Sequence, residues 1–331
     1  MTLTRAAAFA PSNIALTKYW GKRDATLNLP LADSISFSLA ELGSLTIVAP
    51  QPDLAADEMV LDDKPLDSAG MTKVRRVLDE VRRMAGSDVK AGMRSVNTVA
   101  SARGLASSAS AFAALALAAS KAYGLDLDLP ALSRLARIGS GSAARSVHGG
   151  FAKWRKGDAA DGQDSYAEQL WPASHWPLRV LVAQVRDGKK EVSSTAGMQH
   201  SAVGSPLFTA WIGQCERDVP ACQEALAGRD MRKLAEVVEG NALAMHATML
   251  ATRPPLVYWQ PATVAVIHAV RRMRRDGAEC CFTIDAGSSV VVLTSAQDSR
   301  PVAETLSEIA GIEQVIQTRI GEGARLVNAD G

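Results

Sequence analysis

A strand-like run at residues 94–99 is followed by SARGLASSAS and then by a stretch of small apolar residues at 109–123 that reads as a helix. This strand–loop–helix junction constrains the fold more than any other part of the chain. The free N–H groups of the helix's first turn point into the loop, and Gly104 lets the main chain approach a ligand closely. Phosphate is favoured there, by up to about 2 kcal/mol from the helix dipole. Ser107 and Ser108 add hydroxyls suited to phosphate or magnesium, while Ala106 and Ala109 leave the mouth open. A plain Ser-capped helix fits the spacing equally well. The Walker sequence is excluded, because no GK[ST] follows.

Around this unit the chain alternates strand-like and helix-like pieces. Residues 34–39 and 44–48 read as paired strands, and Met71, Val74, Val77, Leu78, Val81 and Met84 recur at helical spacing. The other face of that helix carries Lys73, Arg75, Arg76, Arg82 and Arg83 with Asp79 and Glu80, which reads as a solvated charged face. A short helix follows Leu129-Pro130, then the glycine-rich IGSGSAARSVHGG and the strand-like FAKW, with an exposed loop at 158–165. Beyond Trp176 the spacing predicts a strand at 178–185, a polar segment EVSSTAGMQHS, and helices near 207–225, 231–250 and 262–275. Strands at 280–284 and 290–293 flank DAGSS, and a helix at 301–310 leads to a strand at 312–318. The fold class is α+β, with two lobes, 1–175 and 176–331, around one cleft.

Three further sites suggest chemistry. In GSGSAAR, residues 139–145, glycines and serines expose N–H groups and Arg145 supplies a forked donor for carboxylate or phosphate, although a helix cap has the same composition. Asp285, at the end of an apolar strand, is either a turn residue or a general base on a rigid support. The five histidines are scattered and read as surface or core. The stretch NIALTKYWGK, residues 13–22, gathers an asparagine, two lysines and two aromatics just after a short apolar run.

Composition narrows the partners. With 36 basic and 35 acidic residues intermixed, no broad electrostatic surface for nucleic acid or anionic lipid is implied, so anions must be met locally. The first apolar run is too short for a signal-peptide core and residues 109–119 fall well short of a membrane span, which points to a cytoplasmic protein. Cys215, Cys222, Cys280 and Cys281 form no CxxC pair and read as buried free thiols.

Taken together, APSNIALTKYWGKRDATLNLPLADSISFSL, RGLASSAS, GSGSAARSVHGGFAKW, STAGMQHS and IDAGSS occur in the order and spacing of mevalonate diphosphate decarboxylases, over nearly the whole chain. RGLASSAS alone resembles the wider GHMP kinase superfamily; KYWGK and GSGSxxRS are similar to the decarboxylase branch in particular. The resemblance implies the two-lobed GHMP kinase fold, a ribosomal-protein-S5-like N-terminal lobe and a ferredoxin-like C-terminal lobe, and a homodimer. It also implies an ATP- and magnesium-dependent enzyme of isoprenoid biosynthesis. Such an enzyme phosphorylates the tertiary 3-hydroxyl of (R)-mevalonate 5-diphosphate, then loses phosphate and CO2 to give isopentenyl diphosphate.

Carried over by motif, Asp285 lies beside the 3-hydroxyl, Lys18 is its basic neighbour and keeps it ionised, and Arg145 holds the substrate carboxylate. Tyr19, Trp20, Gly21, Lys22, Lys73, Ser140, Gly141, Ser142, Ala143, Ala144 and Thr195 would contact the substrate, with Asn13 ordering the loop. Gly104, Leu105, Ala106, Ser107, Ser108 and Ala109 would take ATP, with Ser107 and Ser108 near the metal. Departures from the family pattern are Ala100, Arg103, Ser288, Ser289 and Ala251. Related readings are a decarboxylase of mevalonate 5-phosphate, a mevalonate 3-kinase, and a non-catalytic nucleotide-binding regulator.

Overall fold

The computed structural model describes residues 2–98, 107–186 and 192–328, with the side chain of Ser107 left out. Strand β1 (Ala6–Thr17) is followed by a ribbon of β2 (Lys22–Asp24) and β3 (Leu29–Pro30), then by β4 (Ser34–Gln51), β5 (Glu58–Leu61) and β6 (Lys64–Pro65). Helix α1 (Ser68–Ala85) leads to β7 (Lys90–Asn97); then come α2 (Ser107–Ala122), α3 (Leu129–Gly139), α4 (Ala143–Ser146), β8 (Phe151–Trp154) and β9 (Ala167–Trp171). The second part contains β10 (Arg179–Val185), α5 (Ser194–Gly204), α6 (Phe208–Ala227), α7 (Met231–Leu250) and α8 (Pro261–Arg275). It ends with β11 (Cys280–Thr283), β12 (Val290–Thr294), α9 (Ser299–Ser307), β13 (Ile312–Arg319) and β14 (Arg325–Val327).

The first sheet has the order β14-β1-β4-β7-β5-β6, with β8 on β4 and β9 on β8. The sequence suggests that residues 34–39 and 44–48 pair with one another, and they do not. They are successive stretches of β4, both paired with β1, and the strand bends between them where Glu41 takes φ 64°. Gly43 sits at that bend because a Cβ there would lie 2.1 Å from the Ala10 carbonyl. The bend lets the inner half of β4 pair with β7 and its outer half with β8.

The second sheet, β11-β12-β10-β13, is antiparallel. Most of each inner strand, residues 180–183 and 290–293, reads as an apolar run because both faces are covered. Val180, Val182, Cys281 and Leu293 join a core with Ile14, Phe37 and the helices α6 and α7, while Leu181, Ala183, Phe282 and Val292 pack on α8 and α9. A third core, rich in alanine from α2, lies beneath the first sheet with α1 and α3. The core containing Ile14 therefore crosses from one sheet to the other and fixes the end of β1 against β11.

Two other elements depart from the sequence reading. The polar segment at 191–201 contributes the helix α5, capped by Ser193, whose side chain accepts from the Ala196 N–H. Strand β14 pairs with β1 (Ala7 opposite Val327), so a division at residue 175/176 puts this strand with the other lobe from its sheet.

Candidate active site

Where β1 ends, the chain turns through Lys18, Tyr19, Trp20 and Gly21 (φ 138°) into β2. This turn forms part of a cleft of about 460 Å³ to which α1, α2, α3, α5, α7 and the β11–β12 turn also contribute residues. Lys18 is 2% exposed and donates from Nζ to Asp285 Oδ1 at 2.6 Å and to the Ala15 carbonyl at 2.8 Å. Thr283 of β11 donates to that same carbonyl, so β1 and β11 meet at one oxygen just before each delivers its charged residue. Burial pushes the Lys18 pKa down, Asp285 opposes that shift, and Arg145 adds to it.

Arg145, on α4, is 2% exposed. Its Nη1 donates to Ser34 Oγ at 2.5 Å, its Nε to Asn13 Oδ1 at 3.3 Å, and its guanidinium lies over the Trp154 ring. Burial draws its pKa down to about 10, against the raising influence of Asp285 and Tyr19, which leaves it cationic at neutral pH. Asn13 in turn donates from Nδ2 to the Ser142 carbonyl and to Ser146 Oγ, tying β1 to the turn that carries Arg145.

A second group of charges occupies the same cleft. Lys22 donates to Asn28 Oδ1 at 2.6 Å, and its pKa is lowered by burial and then by the nearby charges of Lys73 and Arg76. Both of these α1 residues line the cleft, so the basic helix is more than a solvated face. Among the described lining residues five cations, Lys18, Lys22, Lys73, Arg76 and Arg145, meet one carboxylate, Asp285. Such an excess repels itself unless a polyanion enters. The hydroxyl of Tyr19 and the indole N–H of Trp20 are buried without a partner among the described residues, and both residues line the cleft. A Cβ on Gly141 would sit 2.6 Å from the Tyr19 hydroxyl, so glycine keeps that ring seated.

Of the residues singled out from sequence, Asn13, Lys18, Tyr19, Trp20, Lys22, Lys73, Ser140, Gly141, Ser142, Arg145, Thr195, Asp285 and Ser108 all line the cleft. Gly21, Ala143, Ala144 and Ala109 are buried and absent from its lining. Gly104, Leu105 and Ala106, with Ala100 and Arg103, lie outside the described residues. Ser108 Oγ is exposed at the start of α2, 3.4 Å from Ser140 Oγ, so the N-terminal turn of α2 opens onto the same space as the GSGSAAR turn. Among the described residues no group of three or more His, Cys, Asp or Glu is placed to hold a metal. Asp285 and Ser108 are oxygen donors of the kind magnesium takes beside phosphate oxygens.

Ser288 and Ser289 serve the scaffold: the Ser288 carbonyl accepts from Thr263 and the Ser289 hydroxyl from the Val185 N–H. Sequence reasoning passed over Ser34 and Asn28, which hold Arg145 and Lys22, because a serine in a strand and an asparagine in a turn carry no signal of their own. It also passed over His246, buried on α7, whose Nε2 lies 3.1 Å from the Asp285 carbonyl.

Burial, with the Lys18 charge second, pushes the His246 pKa down from 6.5 to about 3. Between those values the unfolded chain binds a proton that the folded protein does not, so stability falls as pH drops through that window. Thermal melts from pH 7 to pH 4 should show a falling midpoint, and His246→Gln should flatten the slope, leaving the part due to His148, which burial also lowers. An unchanged slope in the variant would assign the acid sensitivity to other groups.

Known proteins resemble this chain over nearly its whole length. Residues 10–167 match the diphosphomevalonate decarboxylase-like N-terminal domain, and residues 180–327 the mevalonate 5-diphosphate decarboxylase C-terminal domain. The diphosphomevalonate decarboxylase of Aspergillus fumigatus is 37% identical over 329 residues, covering 94% of this chain and 81% of the relative. The crystal structure of mevalonate diphosphate decarboxylase from Staphylococcus aureus superposes with a TM-score of 0.93 at 35% identity, covering 99% of each chain. A structure of MDDEF in complex with MVAPP, AMPPCP and magnesium gives 0.92 at 38% identity, over 99% of this chain and 100% of that one. Lys18 and Arg145 fall within the first matched domain and Asp285 within the second, and the chain belongs to the diphosphomevalonate decarboxylase family.

Proposed function

We infer that this protein catalyses the ATP-dependent decarboxylation of (R)-mevalonate 5-diphosphate to isopentenyl diphosphate, ADP, phosphate and CO2. The observation that carries the reading is the division of charge in one cleft. The charges of Asp285 and Arg145 act on Lys18, and those of Lys73 and Arg76 act on Lys22. A molecule with a carboxylate and a tertiary hydroxyl near one end and a diphosphate at the other matches both groups.

The chain's own residues divide the work. Lys22, Lys73 and Arg76, with the Tyr19 hydroxyl, which has no partner among the described residues, and the Ser140–Ser142 turn, hold the diphosphate. Arg145 uses the guanidinium N–H groups not given to Ser34 and Asn13 to fix the carboxylate. Asp285 has Oδ1 bound by Lys18, which leaves Oδ2 to take the 3-hydroxyl proton as that oxygen attacks the γ-phosphorus and ADP departs. The C3–O bond then breaks with its electron pair going to phosphate. The C1–C2 pair becomes the new double bond, and CO2 leaves from the position Arg145 holds. Magnesium, taken with the nucleotide at the start of α2, supplies charge neutralisation at the phosphates. Most of the acceleration comes from positioning and preset charge.

A cytoplasmic setting is supported by Cys215, Cys222, Cys280 and Cys281, all free and buried. No described helix is long and apolar enough to cross a membrane. The purified protein with ATP, magnesium and mevalonate 5-diphosphate should release one CO2 per ADP. ADP without CO2, or turnover that prefers mevalonate 5-phosphate, would overturn the reading.

A further inference from the structure

Lys18 and Asp285 lie 267 positions apart in sequence, yet their side chains meet at 2.6 Å. One helix bonds the backbone of both. On α7, Asn241 Oδ1 accepts from the Lys18 N–H at 2.7 Å, while its Nδ2 donates to Asp218 Oδ2 at 2.7 Å on α6. A carboxylate there only accepts, so the orientation of the amide is fixed, and Gln214 holds the other Asp218 oxygen. Five residues along, about 7.5 Å up the helix, His246 faces the Asp285 carbonyl with Nε2 at 3.1 Å. A carbonyl only accepts, so this nitrogen carries a proton, and the ring packs on Trp259 with the centroids 4.8 Å apart. A third residue of the helix, Glu239, accepts from the Phe282 N–H of β11 and is gripped by Arg274.

Asn241 is 0% and His246 2% exposed, and neither lines the cleft. We propose that Asn241 and His246 are positioning residues, through which α7 holds the backbone of both members of the Lys18–Asp285 pair and so sets their separation. The inference rests on the functional reading above for what that separation does. Its physical basis is that polar groups inside a protein are held by their bonds, and that a shift of about 1 Å in a catalytic group costs on the order of 100-fold in rate. Lys22, Lys73 and Arg76 sit on β2 and α1 and bond to neither Asn241 nor His246, so substrate affinity should change much less than kcat when these two residues are altered.

The test compares Asn241→Ala, Asn241→Ser, His246→Ala and His246→Gln with the wild type, each checked for folding by its thermal midpoint. For Asn241→Ala, Asn241→Ser and His246→Ala the expected result is a fall of about 10- to 100-fold in kcat for ADP and CO2, with KM for mevalonate 5-diphosphate within about 2-fold. Glutamine retains an N–H donor at the end of its side chain and should recover most of the loss at position 246. Amide exchange should also rise in the peptide containing Lys18 for the Asn241 variants, and in the peptide containing Asp285 for His246→Ala. Folded variants with wild-type kcat, or a His246→Gln enzyme no better than His246→Ala, would overturn the proposal. A wild-type enzyme that released no CO2 would overturn the functional reading instead, and the exchange data would then decide the role of α7: unchanged exchange overturns it.

Discussion

Asp285→Asn should reduce ADP and CO2 formation together, by about 10²- to 10⁴-fold, with substrate binding largely preserved. Asparagine keeps the size of the side chain and an oxygen for Lys18 Nζ, now 2.6 Å from Oδ1. What it loses is the ability to take a proton, and with it the charge that opposes the effect of burial on Lys18. Both losses fall on phosphorylation, so decarboxylation stops because its substrate is never made. Single-turnover ADP formation measures the first step, and isothermal titration with mevalonate 5-diphosphate measures binding. Phosphorylation at near the wild-type rate in the variant would remove Asp285 from the general-base role.

Arg145→Gln should act later in the reaction. The guanidinium is 2% exposed and spends only part of its fork on Ser34 and Asn13, so it remains a buried cation with donors to offer a carboxylate. Removing one member of a buried, hydrogen-bonded charge pair costs about 2–5 kcal/mol, equivalent to roughly 30- to 4,000-fold in rate. CO2 release should therefore fall by about 10²- to 10³-fold, and by more than ADP formation, so the ratio of CO2 to ADP drops below one. Lysine at this position should not rescue, because a single ammonium cannot reach Ser34, Asn13 and a carboxylate together. A ratio that stays at one, with kcat near wild type, would show that the carboxylate is held elsewhere.

Legibility from sequence differed between parts of the molecule for physical reasons. Strands β11 and β12 were readable because both faces are buried and every position before the closing threonine is apolar. Helix α1 was readable because one face alone is buried, which imposes helical spacing on Met71, Val74, Leu78 and Val81. Strand β4 read as two strands because Glu41 and Gly43 interrupt it, and a bend within a strand has the same local chemistry as a turn between two. Helix α5 lacked an apolar stripe: of its residues only Gly197 and Ser201 are buried, and small polar residues carry no period.

The site divides in the same way. The loop and turn motifs are contiguous, and family resemblance joined them to a chemistry. Which atoms of Asp285, Lys18 and Arg145 meet depends on the packing of β1 against β11, and no local spacing encodes that. His246 is the sharpest case. A lone histidine on the apolar face of a helix reads as core, and it is core; only its partner, a carbonyl 39 residues away, connects it with the active site.

The pairing of β14 with β1 has a consequence for how the molecule is made. Residues 325–327 leave the ribosome after both larger cores have been synthesised, so Ala7, Ala8 and Phe9 present an open strand edge until then. The strand that leads into Lys18 is thus synthesised about 300 residues before the strand that encloses its edge. A chain that stalls before residue 325 carries Lys18, Arg145 and Asp285, together with an unprotected edge able to recruit a strand from another chain.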